Sequence, residues 1–441
     1  MSSSLFRYKQ IWILLVLFIL TVSLVWYSRS SFQKEKHIVQ FDSAMDRKDL
    51  TKSSTEVEVE KTTGLYDGPV TESIEKPSKN TPPMVDFVVR SAYIDTRARD
   101  GYKNSTVIFA EVSNDVRKFG LFVGCGVDTI DAKKYKVESL YFNWIWKNKG
   151  YLTHEEIMIT CYDLEAHKDS MAFVTYHPAP NSTKISTSTV KITYSPKRND
   201  SKNKTVACTL AFGKPLWLKE WLLYQKTIGV DLVQMYVDDT FMNVTENPTI
   251  IKGFVEEGFL RVDYRKTYFN ERQINYGSQL LSNHDCLYRY QGVYEYTLFF
   301  DLDDFFIPRL PNETSILYYL NRFLPKNNQA MVQFHWYSLF PECGLTQPKE
   351  SSKDGNVTQL LKVKGYWDTK NTKFACRPHL TTHLTIHAIR DHIKGAIVAP
   401  LPDSNIAYVG HFRIGMYIAP GFPKSITCDT LHTITTKFSF S

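Results

Sequence analysis

Val293 to Asp304 reads VYEYTLFFDLDD, an apolar run that stops on three carboxylates. Eight residues rich in aromatic and β-branched side chains predict a buried strand, with Asp301, Asp303 and Asp304 at its C-terminal edge. If the strand continues, alternation sends Asp301 and Asp303 to one face and Leu302 to the other. Two such charges about 5 Å apart repel by roughly 3 kcal/mol at an effective dielectric of about 20. A hard divalent cation reverses that repulsion, and Mg²⁺ or Mn²⁺ held by one or two carboxylates completes its octahedron with phosphate oxygens. The stretch therefore points to a metal and diphosphate site. The plainer alternative is a solvated acidic turn.

Upstream, the pattern is one of alternating strands and helices. VACTLAF (206–212) is an apolar strand, and Pro215 opens a helix with Leu218, Trp221, Leu222 and Ile228 on one face, closed by Gly229. DLVQMYVDD (231–239) is the next strand. A helix follows from Asn247 and Pro248 through Glu257, then the strand LRVDY (260–264), a helical stretch over about 271–290, and the Asp301 strand. This alternation implies an α/β domain, 206–441, with a mainly parallel sheet. Open sheets of that kind bind ligands at the C-terminal ends of their strands, where Asp238, Asp239 and the Asp301 cluster would share a rim. Asp238 and Asp239 are thus candidate contacts for a bound nucleotide.

Before this domain, residues 84–194 carry short alternating runs such as TVIFAEV and EIMITCY, which predict an antiparallel, sandwich-like β-rich domain with its own core. Residues 195–205 read as a linker and 28–83, rich in Ser, Thr, Lys, Glu and Pro, as a flexible stem. Ile11 to Tyr27 contains no charge in 17 residues, enough for a transmembrane helix behind a cytoplasmic tail of residues 1–10; a cleaved signal peptide is the alternative. Seven glycosylation acceptors, at Asn104, Asn181, Asn199, Asn203, Asn243, Asn312 and Asn356, favour a lumenal body and a type II topology. Seven cysteines in that oxidising compartment allow up to three bridges, of unspecified pairing. A net charge of +7 over 441 residues, with no Lys/Arg block, gives no ground for a nucleic-acid partner.

Several spaced motifs resemble glycosyltransferase family 92, formerly domain of unknown function 23. They are ACTLAFGKPLWLKEWLLYQKTIGVDLVQMYVDD, NHDCLYRY, DLDDFFIPR, TKFACRP and VGHFR, with FVVRSAYIDTR in the β-rich part. The resemblance implies a GT-A fold, a nucleotide-sugar donor, a divalent metal and inversion at the sugar carbon, with galactose from UDP-galactose as the transferred sugar. Carried over by position, Asp301 and Asp303 are metal ligands. Asp304 stands where the family usually has Glu, and its shorter side chain suggests a supporting role. His411, in VGHFR, is a further candidate for the same metal, and Lys373, in TKFACRP, for a phosphate. After Arg413 the chain lacks the apolar helical pattern expected to close such a domain.

The catalytic base is not fixed by any motif; Glu342 and Asp368 are the candidates downstream of the acidic run. His379, His383 and His387 lie at i, i+4 spacing, but Thr381, Thr382 and Thr385 favour a strand over a zinc-binding helix. Trp336 and Trp367 could stack on sugar or simply pack. The leading expectation is a Golgi or other secretory-pathway glycosyltransferase acting on glycans, with Mn²⁺ as the metal. The competing expectations are a catalytically silent, glycan-binding paralogue and a haloacid-dehalogenase-like phosphatase. The latter would place Asp-x-Asp on its first strand rather than its fourth.

Overall fold

The computed structural model describes residues 87–97, 104–113, 122–140, 154–164, 167, 169–177, 183–193, 204–211, 218–243, 246–265, 278–341 and 363–412. The expected tail (1–10), anchor (11–27), stem (28–83), most of the linker (195–203) and everything from 413 onward lie outside them. Among the described residues no helix is long and apolar enough to cross a membrane.

The first eight strands are β1 (Phe87–Asp95), β2 (Ser105–Ser113), β3 (Phe122–Val127), β4 (Ile130–Asp131), β5 (Tyr135–Ser139), β6 (His154–Tyr162), β7 (Met171–Tyr176) and β8 (Ser186–Thr193). They form one sheet in the order β4-β3-β7-β8-β1-β2-β6-β5, antiparallel except where β8 meets β1. Five strand spacings separate β3 from β6 in that order, about 24 Å on a flat sheet. Yet Cys125 on β3 is disulfide-bonded to Cys161 on β6 with their Cα atoms 6.1 Å apart. The sheet therefore folds over itself. Its two halves enclose Ala92, Ile108, Ala110, Ile157 and Ile159 against Val127, Ala172, Val174 and Ile192.

Burial patterns show what lies on the outer faces. β8 alternates exposed and half-buried residues over most of its length, as a strand with one wet face should, whereas β6 is buried at almost every position. The second face of β1, β2 and β6 carries Tyr93, Val107, Phe109 and Met158, which share a core with Leu281, Leu287, Tyr288 and Phe299 of the following unit. The expectation of a β-rich domain with a core wholly its own is thus corrected. Alternation in short strands reports that both faces carry apolar side chains but not which neighbour covers them.

The second unit comprises β9 (Thr205–Ala211), α1 (Leu218–Thr227), β10 (Leu232–Val237), α2 (Asp239–Met242), α3 (Glu246–Glu256), β11 (Leu260–Tyr264), α4 (Gln279–Tyr290), β12 (Tyr296–Phe299), β13 (Asp304–Pro308), α5 (Ile316–Phe323), β14 (Gln329–Pro341), β15 (Val363–Cys376), β16 (Thr381–Leu384), β17 (Ile389–His392), β18 (Ile397–Val398) and β19 (Ala407–Phe412). The main sheet runs β11-β10-β9-β12-β15-β14-β19-β13, with β18 beside β14 and β16-β17 as a separate hairpin. β9 to β12 are parallel, as the alternation predicts; from β15 on the sheet is mixed. Gly229, at φ 84°, ends α1 by letting Val230 N reach Gln225 O at 3.0 Å while its own N–H bonds Lys226 O, the pattern by which glycine closes a helix.

Within the parallel half the chain winds outward from β9 to β10 and β11, then returns to the other side of β9 as β12. That reversal is the switch point at which such sheets open a crevice beyond their C-terminal strand ends. A second disulfide, Cys208 to Cys286, ties β9 to α4 beside it, and Cys376 is a buried free thiol.

Candidate metal centre

β12 stops at Phe299, and Asp301 to Asp303 do not continue it. Leu302 and Asp303 form a turn and Asp304 opens β13. Asp304 N donates to Asp301 O at 3.0 Å, and Asp301 N donates to the Asp304 carboxylate at 2.9 Å. The alternation argument for Asp301 and Asp303 therefore does not apply. The apolar run Phe305-Phe306-Ile307 forms a strand of its own and forces the reversal.

Asp304, expected to be secondary, is the hub. Its side chain is fully buried. Oδ1 accepts from Trp336 Nε1 at 3.0 Å and lies 2.8 Å from His411 Nδ1, while Oδ2 lies 2.9 Å from Lys373 Nζ. Its backbone carbonyl accepts from Trp221 Nε1 at 2.9 Å. β13 pairs antiparallel with β19 so that Asp304 sits directly opposite His411. His411 Nδ1 is also 3.4 Å from Asp303 Oδ1, and its ring centroid lies 4.3 Å from that of Trp336. Asp301 is held to one side by Gln279 Nε2 at 2.7 Å and Lys373 Nζ at 2.5 Å.

The electrostatics follow from this crowding. Burial pushes the Asp304 carboxyl up, but Lys373 and His411 beside it hold it well below the usual range. Burial would lower His411, but its contacts with Asp303 and Asp304 raise it to about 9. Burial likewise opposes the Lys373 charge, and the two aspartates keep it firmly protonated. The carboxylates of Asp303 and Asp304 thus favour positive charge at the position of His411. Among the described residues, Asp303, Asp304 and His411 are the group whose ligand atoms converge, all within 4.8 Å of one another. Hard carboxylate oxygens with one imidazole suit Mn²⁺ or Mg²⁺ better than a thiophilic metal. The Asp303 side chain is 40% exposed, leaving a side open to further oxygen ligands. The residues present fit a divalent cation.

The other predicted residues fall as follows. Asp238 caps α2, accepting from Phe241 N at 2.9 Å, and Asp239 accepts from the Tyr264 hydroxyl; both stand at the C-terminal end of β10. Lys373 is buried beneath the aspartates and does not stand free for a phosphate. Asp368 lies on β15 in register with Trp336, and Glu342 lies outside the described residues. The three spaced histidines do not converge: His379 is exposed, His383 sits on β16 at 3.5 Å from Glu138, and His387 packs towards Trp336. Trp336 is buried, and its N–H serves Asp304. Sequence reading missed Gln279 and the roles of the Trp221 and Trp336 indoles as donors to Asp304. Tryptophans in buried runs, whose N–H needs an acceptor, are the available signal; nothing local marks Gln279 among the polar residues of its helix.

Residues 204–420, which span the whole second sheet and the acidic turn, match the family model for glycosyltransferase family 92, so this unit is a glycosyltransferase domain. Residues 204–420 belong to glycosyltransferase family 92. No curated protein gives a significant match to the chain.

Proposed function

We propose that the protein is a metal-dependent, inverting glycosyltransferase of GT-A type that moves a sugar, galactose from UDP-galactose, onto a glycan acceptor. The observation that carries this is the convergence of Asp303, Asp304 and His411 at the rim beside the β9/β12 switch point. Asp303, Asp304 and His411 would hold Mn²⁺, with Asp301 alongside. When bound, the cation offsets the charge that develops on the departing diphosphate. Asp238 and Asp239 end β10 on the same rim, where a nucleoside would lie. The base that takes the acceptor hydroxyl's proton is assigned to Glu342 or Asp368, both downstream of the acidic turn.

The chain would work in the lumen of the Golgi or another secretory compartment, held by residues 11–27. Supporting this, the acceptor asparagines Asn104, Asn243 and Asn312 are exposed, and two disulfides form among the described residues. The test is incubation of the purified protein with Mn²⁺ and a panel of UDP-sugars. Hydrolysis or transfer of one sugar supports the reading. Glycan binding that survives chelation, without turnover of any donor, would make the protein the silent binding paralogue instead.

A further inference from the structure

Lys373 presents an unusual arrangement. Its ammonium is almost fully buried, 2.5 Å from Asp301 Oδ2 and 2.9 Å from Asp304 Oδ2, and 5.4 Å from the centroid of the Trp336 ring. A fixed cation thus sits under the acidic turn and occupies one oxygen on each of two carboxylates. Of the remaining oxygens, Asp304 Oδ1 already faces Trp336 and His411, and Asp301 Oδ1 faces Gln279. Asp303 offers the most accessible carboxylate. Three aspartates therefore present less net charge to an arriving cation than their number suggests.

Resting on the function proposed above, we propose that Lys373 is a built-in counter-ion that makes divalent-metal capture depend on the nucleotide diphosphate, so that the site takes metal and diphosphate together and holds metal alone poorly. The diphosphate brings the anionic oxygens and the negative charge that Lys373 cancels. Coupling of this kind is reciprocal: UDP tightens Mn²⁺ and Mn²⁺ tightens UDP by the same factor. A lysine serving only to pair with buried Asp304 and half-buried Asp301 would stabilise the fold but leave the ratio of metal affinities with and without UDP unchanged.

The experiment titrates the full-length protein in detergent with Mn²⁺, reading free metal by electron paramagnetic resonance, with and without UDP. Wild type should bind Mn²⁺ at least about tenfold more tightly with UDP. Lys373→Gln, which removes the charge and keeps a donor, should raise the affinity for Mn²⁺ alone by about tenfold and shrink the effect of UDP. Lys373→Arg should keep the dependence on UDP. Should Lys373→Gln be unfolded without metal, Mn²⁺ alone should restore its folded circular dichroism, since the metal then supplies the missing charge. A Lys373→Gln protein that binds Mn²⁺ alone no better than wild type, or that stays unfolded in Mn²⁺, overturns the proposal. Wild type that binds UDP and Mn²⁺ together while Lys373→Gln behaves identically would sink this inference but leave the function standing. Wild type that takes up no Mn²⁺ with or without UDP would remove both.

Discussion

His411 Nδ1 lies 2.8 Å from Asp304 Oδ1, and the two residues face each other across the antiparallel β13/β19 pair. Residues 107 positions apart in sequence are thereby joined by backbone register, which holds the imidazole and the buried carboxylate at a fixed separation. The acidic turn alone would leave Asp303 pointing outward with no nitrogen ligand near it.

Asp303 and Asp304 should separate function from stability. Asp304→Asn removes the charge that Lys373 and His411 surround, and breaking such a buried set should cost about 3–5 kcal/mol. Asp303→Asn, at a position 40% exposed, should change stability by less than about 1 kcal/mol. Both should lose metal-dependent UDP binding. Urea unfolding with a UDP titration checks the pair. Equal destabilisation by the two substitutions would contradict the hub role of Asp304.

The β9-to-β12 half of the fold was legible because Leu218, Trp221 and Leu222 repeat at helical spacing between apolar strands. The acidic motif was legible as chemistry but not as geometry. Asp301 to Asp303 form a turn because Phe305 to Ile307 begin a new strand, a feature visible in the sequence once two apolar runs are weighed against one long strand. Lys373 was legible as a candidate for the site, but its burial against Asp301 and Asp304 was not. Its place under Asp301 depends on β15 pairing with β12 so that Phe374 opposes Phe299, and no local pattern specifies register between strands that far apart in sequence. The curling of the first sheet was hidden for the same reason, since it rests on long-range pairing and the Cys125 bridge.

Glu156 on β6 gives a pH signature. Burial, with Glu111 nearby, raises its carboxyl from 4.5 to about 8. Below about pH 4.5 the folded and unfolded chains both hold the proton. Between 4.5 and 8 only the folded chain does, so this group makes stability fall as pH rises, by about 1.4 kcal/mol per unit, and the slope ends above 8. Glu156→Gln should remove that slope and be more stable than wild type at pH 8. Melting temperatures over pH 5 to about 8.5 test this; parallel profiles for the two proteins would refute it.

The shared core predicts that the two units do not fold apart. Arg97, beyond the end of β1, pairs with buried Asp95 at 2.6 Å, donates to Pro378 O at 2.9 Å and lies 4.7 Å over the Tyr288 ring. Arg97→Ala removes a buried charged partner of Asp95 together with the contacts to Pro378 and Tyr288, and should cost about 3–5 kcal/mol in the whole chain. A fragment spanning 204–441 would expose Leu281, Leu287 and Tyr288, so it should lack a cooperative thermal transition. A fragment that melts as sharply as the full protein would show that the first sheet is dispensable.

The central claim is that Asp303, Asp304 and His411 hold a cation against a nucleoside diphosphate, and thermal shift with ligand tests it most directly. A ligand that binds only the folded state at a hundredfold excess over Kd adds about 2.7 kcal/mol. Wild type should gain melting temperature with UDP and Mn²⁺ together and lose the gain in EDTA. Asp303→Asn should show none of it, and His411→Ala should show less than wild type. An Asp303→Asn protein that keeps the full metal-dependent shift would contradict the account.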